Sequence, residues 1–224
     1  MNKSLSAIDR EIIDCTKCPR LIKHCKKVAK EKRKSFMDWK YWGKPVPNLG
    51  DKNAEILIIG LAPAAHGANR TGQMFTGDNS GLWLFRALHQ NGLSNMINSS
   101  SRTDGLKLKN TLISSVCHCA PPENKPTPKE ISNCLPYFEQ TFRALKPKVT
   151  ICLGGLAWNQ LFKFLKEKGL WKKARPKFGH LAVVKLPDGT SVIGSYHPSQ
   201  HNTFTGRLTE DMFSKVFKKA KALC

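Results

Sequence analysis

The sequence predicts an α/β fold in three layers, with a central, mainly parallel sheet and helices on both of its faces. Two observations carry this expectation. Short apolar runs recur at Ile56–Ile59, Leu112–Val116, Val149–Leu153, Leu181–Lys185 and Val192–Ser195, with helical patterns between them. Strands that alternate with helices form a parallel sheet covered on both sides. A chain of 224 residues suits one domain, residues 1–224, whose core needs no staples.

The elements follow in order. Residues 8–34 read as a helix-rich stretch of a basic N-terminal arm (about 1–50), in which Lys23, Lys26, Lys27, Lys30, Lys32, Arg33 and Lys34 crowd together. Lys44-Pro-Val-Pro-Asn-Leu-Gly50 is a turn-rich connector. The run Ile56–Ile59 leads into Gly60 and a long stretch of small residues that ends at Asp78. Leu82, Phe85 and Leu88 then share a helical face, which Asn91-Gly92 stops. Glu130 to Leu145 and Ala157 to Lys168 also carry helical patterns. The last run, Val192–Ser195, leads into His197-Pro-Ser. Two loops therefore stand at carboxyl ends of strands, the edge where open α/β sheets bind ligands.

Lys and Arg number 37 against 16 Asp and Glu, a formal charge of +21. Such a balance points to a polyanion, with nucleic acid ahead of an anionic membrane surface. No apolar run reaches spanning length, and Met1-Asn-Lys-Ser-Leu-Ser-Ala-Ile-Asp9 has no signal-peptide pattern. The expectation is a cytoplasmic, nucleoid-associated prokaryotic protein that works as a monomer, without a membrane. In a reducing compartment the eight cysteines are metal ligands, reactive thiols or packing groups rather than disulfides.

Cys15 and Cys18 form a C-x2-C pair, and Cys119 and Cys134 bracket a proline-rich loop. Four thiolates suit either tetrahedral zinc or a [4Fe–4S] cluster, and spacing does not choose between them. Cys117 competes with Cys119 for the same role. Cys152 sits in an apolar run and reads as a packed thiol, and Cys25 and Cys224 read as free ones.

Three motifs carry a resemblance. They are Gly60-Leu-Ala-Pro-Ala-Ala-His-Gly-Ala-Asn-Arg-Thr-Gly72 with Met74-Phe-Thr-Gly-Asp78, Cys119-Ala-Pro-Pro-Glu-Asn-Lys-Pro126 with Cys134, and His197-Pro-Ser199 with Asn202-Thr-Phe-Thr-Gly-Arg-Leu-Thr209. Together they resemble the family 5 (type B) uracil-DNA glycosylases, over about Cys15 to Met212. The resemblance implies a uracil-DNA glycosylase-like fold and a [4Fe–4S] cluster on Cys15, Cys18, Cys119 and Cys134. It favours Cys119 over Cys117, and implies base excision repair of uracil, 5-substituted uracils and deaminated purines such as hypoxanthine.

Glycosidic cleavage places positive charge on the sugar and negative charge on the departing base. The nucleotide must first leave the duplex, with its base held by stacking. His197 is the candidate donor to the leaving base, against the plainer role of a turn histidine. Phe75 is the stacking candidate, against an ordinary core aromatic. Asp78 and Asn124 are candidates to position water, against an N-cap and an Asx turn. Ala64 and Ala65 leave the base pocket without polar partners, and such a pocket discriminates weakly.

Ser199, Arg70 and Arg207 are phosphate candidates. Gln200, His201 and Asn202 form the expected wedge into the vacated stack, with Asn202 touching the orphan base. The expected partner is damaged double-stranded DNA, with single-stranded DNA as a second substrate form. The competing class is a zinc-stabilised nucleic-acid-binding module without catalysis.

Overall fold

The computed structural model describes residues 3–224. Its centre is a six-stranded sheet of β1 (Leu49–Gly50), β2 (Ile56–Gly60), β3 (Thr111–Ser115), β4 (Val149–Leu153), β5 (Val183–Lys185) and β6 (Ser191–Ser195), in the order β1-β3-β2-β4-β6-β5. The inner four strands are parallel, and β1 and β5 close the edges antiparallel. The mainly parallel three-layer architecture is the one the alternation of strands and helices predicts.

The inner strands are buried throughout and mostly apolar because both of their faces are covered. Leu57, Ile59, Cys152 and Val192 face one core, beneath α1 (Leu5–Ile13), α5 (Pro128–Leu145) and α6 (Gly155–Glu167). Ile56, Ile58, Val149, Ile151 and Ile193 face the other, beneath α4 (Asn79–Gln90) and α8 (Glu210–Lys221). Each strand residue alternates sides, so a register slip of one would exchange the two cores.

The N-terminal segment is integral to the fold rather than an appended arm. Leu5, Ile8 and Ile12 of α1 are buried in the first core. The second helix, α2 (Pro19–Glu31), buries Leu21 and Cys25 while its lysines face outward. An ion pair from Arg20 of α2 to Glu130 of α5, with Nε and Nη2 donating at 2.8 and 2.7 Å, ties the two helices together. Glu130 also closes a capping box with Thr127 at the start of α5. No helix among the described residues is long and apolar enough to cross a membrane.

Candidate active site

A cavity of about 960 Å³ opens at the carboxyl edge of the parallel strands. Three of the segments that line it carry the expected site residues. The loop after β2 supplies Ala64, Ala65 and His66, and then Phe75 and Asp78. The loop after β6 supplies His197, Ser199, Gln200, His201, Asn202 and Arg207. The turn Pro122–Asn124 supplies Asn124. Residues as far apart in sequence as Arg33 and Arg207 thus meet at one site.

The loop after β2 is shaped by a short helix, α3 (Ala68–Thr71), and by its Arg70. Arg70 is 3% exposed. Its Nε donates to the His66 carbonyl and its Nη2 to the Gly77 carbonyl, both at 2.8 Å. Its guanidinium carbon lies 3.9 Å from the Phe36 ring centroid and 4.1 Å from that of Trp39. The expectation of a phosphate contact at Arg70 is therefore corrected: the side chain is buried between two aromatic rings and staples the loop from inside. Gln73 and Thr76 add a polar web with Ser99.

Phe75 adopts a left-handed backbone, with φ of 54°. A side chain on Gly60 would press against the far end of the Phe75 ring, so the bare strand terminus is what seats that ring. The Phe75 and His197 rings face each other with centroids 6.1 Å apart, tilted by 35°. Burial pushes the His197 imidazole down to about 4, so the ring is neutral at neutral pH. Asp78 is the N-cap of α4, accepting the Gly81 N–H at 2.9 Å. Burial raises its carboxyl, while the backbone N–H groups of Gly81 and Ser80 and the charge of Arg70 oppose that rise. Capping and facing the cavity are thus one and the same placement. Asn124 is exposed at the rim, in a turn where it and Glu123 both take positive φ.

In the loop after β6, Ser199 caps α7 (Gln200–Phe204), its Oγ accepting from the Asn202 N–H at 3.4 Å. Asn202 turns inward: its Nδ2 donates to the His197 carbonyl at 2.8 Å and braces the histidine from behind. This replaces the expectation that its amide projects outward to an orphan base. The groups that do project are Gln200, His201 and Phe204, the last 77% exposed. Arg207 lies over the Tyr196 ring, 4.7 Å from its centroid. Phe204 was missed by the sequence reading because an aromatic inside a quoted motif reads as core. His66, which also lines the cavity, carries the Tyr41 hydroxyl on Nδ1 at 3.1 Å, and burial together with Arg33 and Arg70 lowers its pKa.

A second, small cavity is lined by Cys15, Cys18, Cys119 and Cys134, with Leu21, Ile22, His118 and Tyr137. The His118 backbone N–H donates to the Cys134 sulfur at 3.3 Å, and Asn133 Nδ2 to the Cys18 sulfur at 3.5 Å. Cys117 is buried outside that lining, against Cys134, and Cys25 lies against Cys119. No three His, Cys, Asp or Glu side chains among the described residues converge closely enough to hold one metal ion. Ala65 lines the larger cavity and also packs against Leu21, Cys25, Cys119 and Ala120.

Comparison with known proteins places the chain in a family. The family model described as "Uracil DNA glycosylase superfamily" matches residues 47–221. A type-5 uracil-DNA glycosylase of Mycobacterium tuberculosis is 45% identical over 98% of this chain and 82% of its own. One from Thermus thermophilus is 44% identical over 93% of both chains. A type-4 uracil-DNA glycosylase of Archaeoglobus fulgidus is 29% identical over 99% of this chain and 94% of its own. With the strand-edge loops, the paired cavities and these likenesses together, the chain belongs to the uracil-DNA glycosylase superfamily, among the type-5 proteins.

Proposed function

We propose that this protein is a monofunctional DNA glycosylase that hydrolyses the bond between uracil and deoxyribose, and accepts 5-substituted uracils and hypoxanthine as well. The observation that carries the reading is the meeting of Phe75, Asp78, Asn124 and His197 around one cavity at the carboxyl strand edge. The cavity volume is ample for a base and its sugar. An extrahelical base would stack on Phe75. The neutral His197 would offer an N–H to the base oxygen that gains charge as the glycosidic electron pair leaves with the base. Asp78 and Asn124 would hold a water at the sugar carbon. That water bonds to carbon as the bond to the base breaks, and its proton passes to the surrounding carboxylate or solvent. The Asp78 charge also offsets the cationic sugar.

Ala64 and Ala65 support the broad range of bases, because a wall of methyl groups offers no hydrogen bond that a wrong base would leave unmade. Gln200, His201 and the projecting Phe204 would fill the gap in the stack, and apolar wedges of this kind hold DNA open. Ser199 and Arg207 would meet flanking phosphates. The enzyme would act as a monomer on double-stranded DNA, and on single strands too.

The donor set of the small cavity fits a [4Fe–4S] cluster held by Cys15, Cys18, Cys119 and Cys134. Four thiols share one cavity, and two N–H groups already point at sulfurs. The cluster would be structural, joining α2 to the loop before α5.

The test is single-turnover release of base from duplexes carrying uracil, hydroxymethyluracil or hypoxanthine, with metal analysis of the same preparation. Base release by a brown, iron-bearing protein is the expected result. A colourless zinc protein that binds DNA and releases no base would instead be a non-catalytic binding module.

A further inference from the structure

The irregular segment between α6 and β5 takes no part in the catalytic cavity until Phe178. It reads Lys172-Lys-Ala-Arg-Pro-Lys177, and Lys172, Lys173, Arg175 and Lys177 are all exposed. None of these cations meets a carboxylate among the described residues. The nearby acids are occupied elsewhere: Glu139 takes Arg143 and Lys168, and Glu167 takes Lys163.

A run of unpaired like charges would normally be mobile, yet this one is pinned from beneath at two carbonyls. The Trp158 indole N–H donates to the Pro176 carbonyl, and the Trp171 indole N–H to the Ala174 carbonyl, each at 3.0 Å. Both tryptophans are buried. At its end Phe178 seats against Gly155 at the start of α6 and Gly194 of β6, with 3.3 Å to a side chain built at either. Phe178 lines the catalytic cavity. The chain thus runs directly from a pinned backbone that carries four cations into the wall of the active site. Leu156, 60% exposed, stands on the cavity rim beside Gly155.

We infer that Lys172–Lys177 is a preformed phosphate-binding track. Resting on the glycosylase reading, it would grip the DNA backbone on one flank of the extrahelical nucleotide. The backbone that carries the cations is held before DNA arrives, so the ordering cost that remains is that of the side chains. Phosphate contacts position the duplex without reading its sequence. A segment tied to the cavity wall would therefore fix how far along the backbone the damaged nucleotide is presented.

The test compares two quadruple variants of the full, iron-loaded chain. One carries K172Q, K173Q, R175Q and K177Q. The other carries K52Q, K107Q, K109Q and K146Q, at the opposite, amino edge of the strands, and loses the same charge. Affinity for an undamaged duplex is measured against salt. Each lost phosphate contact lowers the slope of log K against log salt by about 0.9. The track variant is expected to lose roughly 2 to 4 from the slope, and the control less than 1. Single-turnover cleavage of uracil at saturating DNA should match the parent in the control variant. Equal slope changes in the two variants, or none in the track variant, would overturn the proposal. Should the quadruple variant not fold, the pair K172Q and K173Q is expected to lose about half as much, and an unchanged slope there overturns the proposal equally. Failure of the parent to release uracil would defeat the glycosylase reading separately, because the slopes are read on undamaged DNA.

Discussion

The Asp78 carboxylate occupies the space that a side chain at residue 67 would need, and a Cβ built on Gly67 collides with it. The same carboxylate caps α4 through Gly81, where a Cβ would run into the Phe75 carbonyl. Two glycines, one on each side, thus set where the acid points. Gly67→Ala should push Asp78 out of place and slow single-turnover uracil release by at least tenfold. Overpacking of this kind costs on the order of 1–3 kcal/mol of stability, so the variant should still fold. A parent-like rate in a folded Gly67→Ala protein would show that turnover does not depend on this placement.

His197→Ala removes the proposed donor to the leaving base, and loss of one such donor costs on the order of a hundredfold or more in rate. Binding of undamaged duplex should barely change. Equal loss of binding and rate would assign the histidine to DNA contact instead. Asn202→Ala, which removes the brace behind His197, should lower the rate less and leave the uracil-to-hypoxanthine ratio unchanged.

Asp78 should give the reaction its acid limb. Its carboxyl is raised by burial, so protonation as pH falls should switch off water positioning at a pH above the ordinary aspartate range. In Asp78→Asn the rate should be lower at neutral pH and the limb should disappear. Measuring the single-turnover rate from pH 4.5 to 8 decides this, since a limb that persists in the variant belongs to another group.

Stability should also fall as pH drops, for a different reason. Burial lowers His197 and the 1%-exposed His118 from 6.5 to about 4. The unfolded chain therefore takes up protons through 6.5 while the folded chain does not. The cost begins below 6.5 and is complete near 4, at up to about 3 kcal/mol for each ring. Asp78, raised on folding, works the other way: the cost of its burial is present at neutral pH and recedes as pH falls. Urea midpoints at pH 7 and pH 5 should show the loss, and His197→Ala should show less of it. An equal loss in parent and variant would mean that His197 is not held neutral.

The thiol assignment is checked at a single pair of positions. Cys119→Ser should lose iron and the visible absorbance, whereas Cys117→Ser should retain about four irons per chain. The reverse pattern would move the ligand to Cys117.

Much of the fold was legible because the inner strands are apolar on both faces. β4 falls on the expected Val149–Leu153, and the β2, β3 and β6 boundaries shift by one residue. β5 starts two residues late because Leu181 takes a positive φ of 60°. β1 was read as part of a connector, since two residues paired only with β3 leave no pattern of their own. α8 went unassigned because its lysines obscure the buried Phe213, Val216 and Phe217. In the site, Ala64, Ala65, Phe75, Asp78, Asn124 and His197 were singled out through the motifs that carry the resemblance, and the structure brings them to one cavity. The fate of Arg70 was not, because the rings that bury it, Phe36 and Trp39, lie more than thirty residues upstream.

Ala65 stands in a partition with a different tenant on each side. One side faces the catalytic cavity, the other the packing around Cys25 and Cys119. Under the proposed function, a larger residue there would press on the thiol packing as well as on the base, so attempts to retune base choice at position 65 should be confounded by loss of iron. Ala64 has no such second duty in the thiol packing. A protein engineer seeking a narrower enzyme would therefore find position 64 adjustable and position 65 nearly frozen, although the two are adjacent alanines.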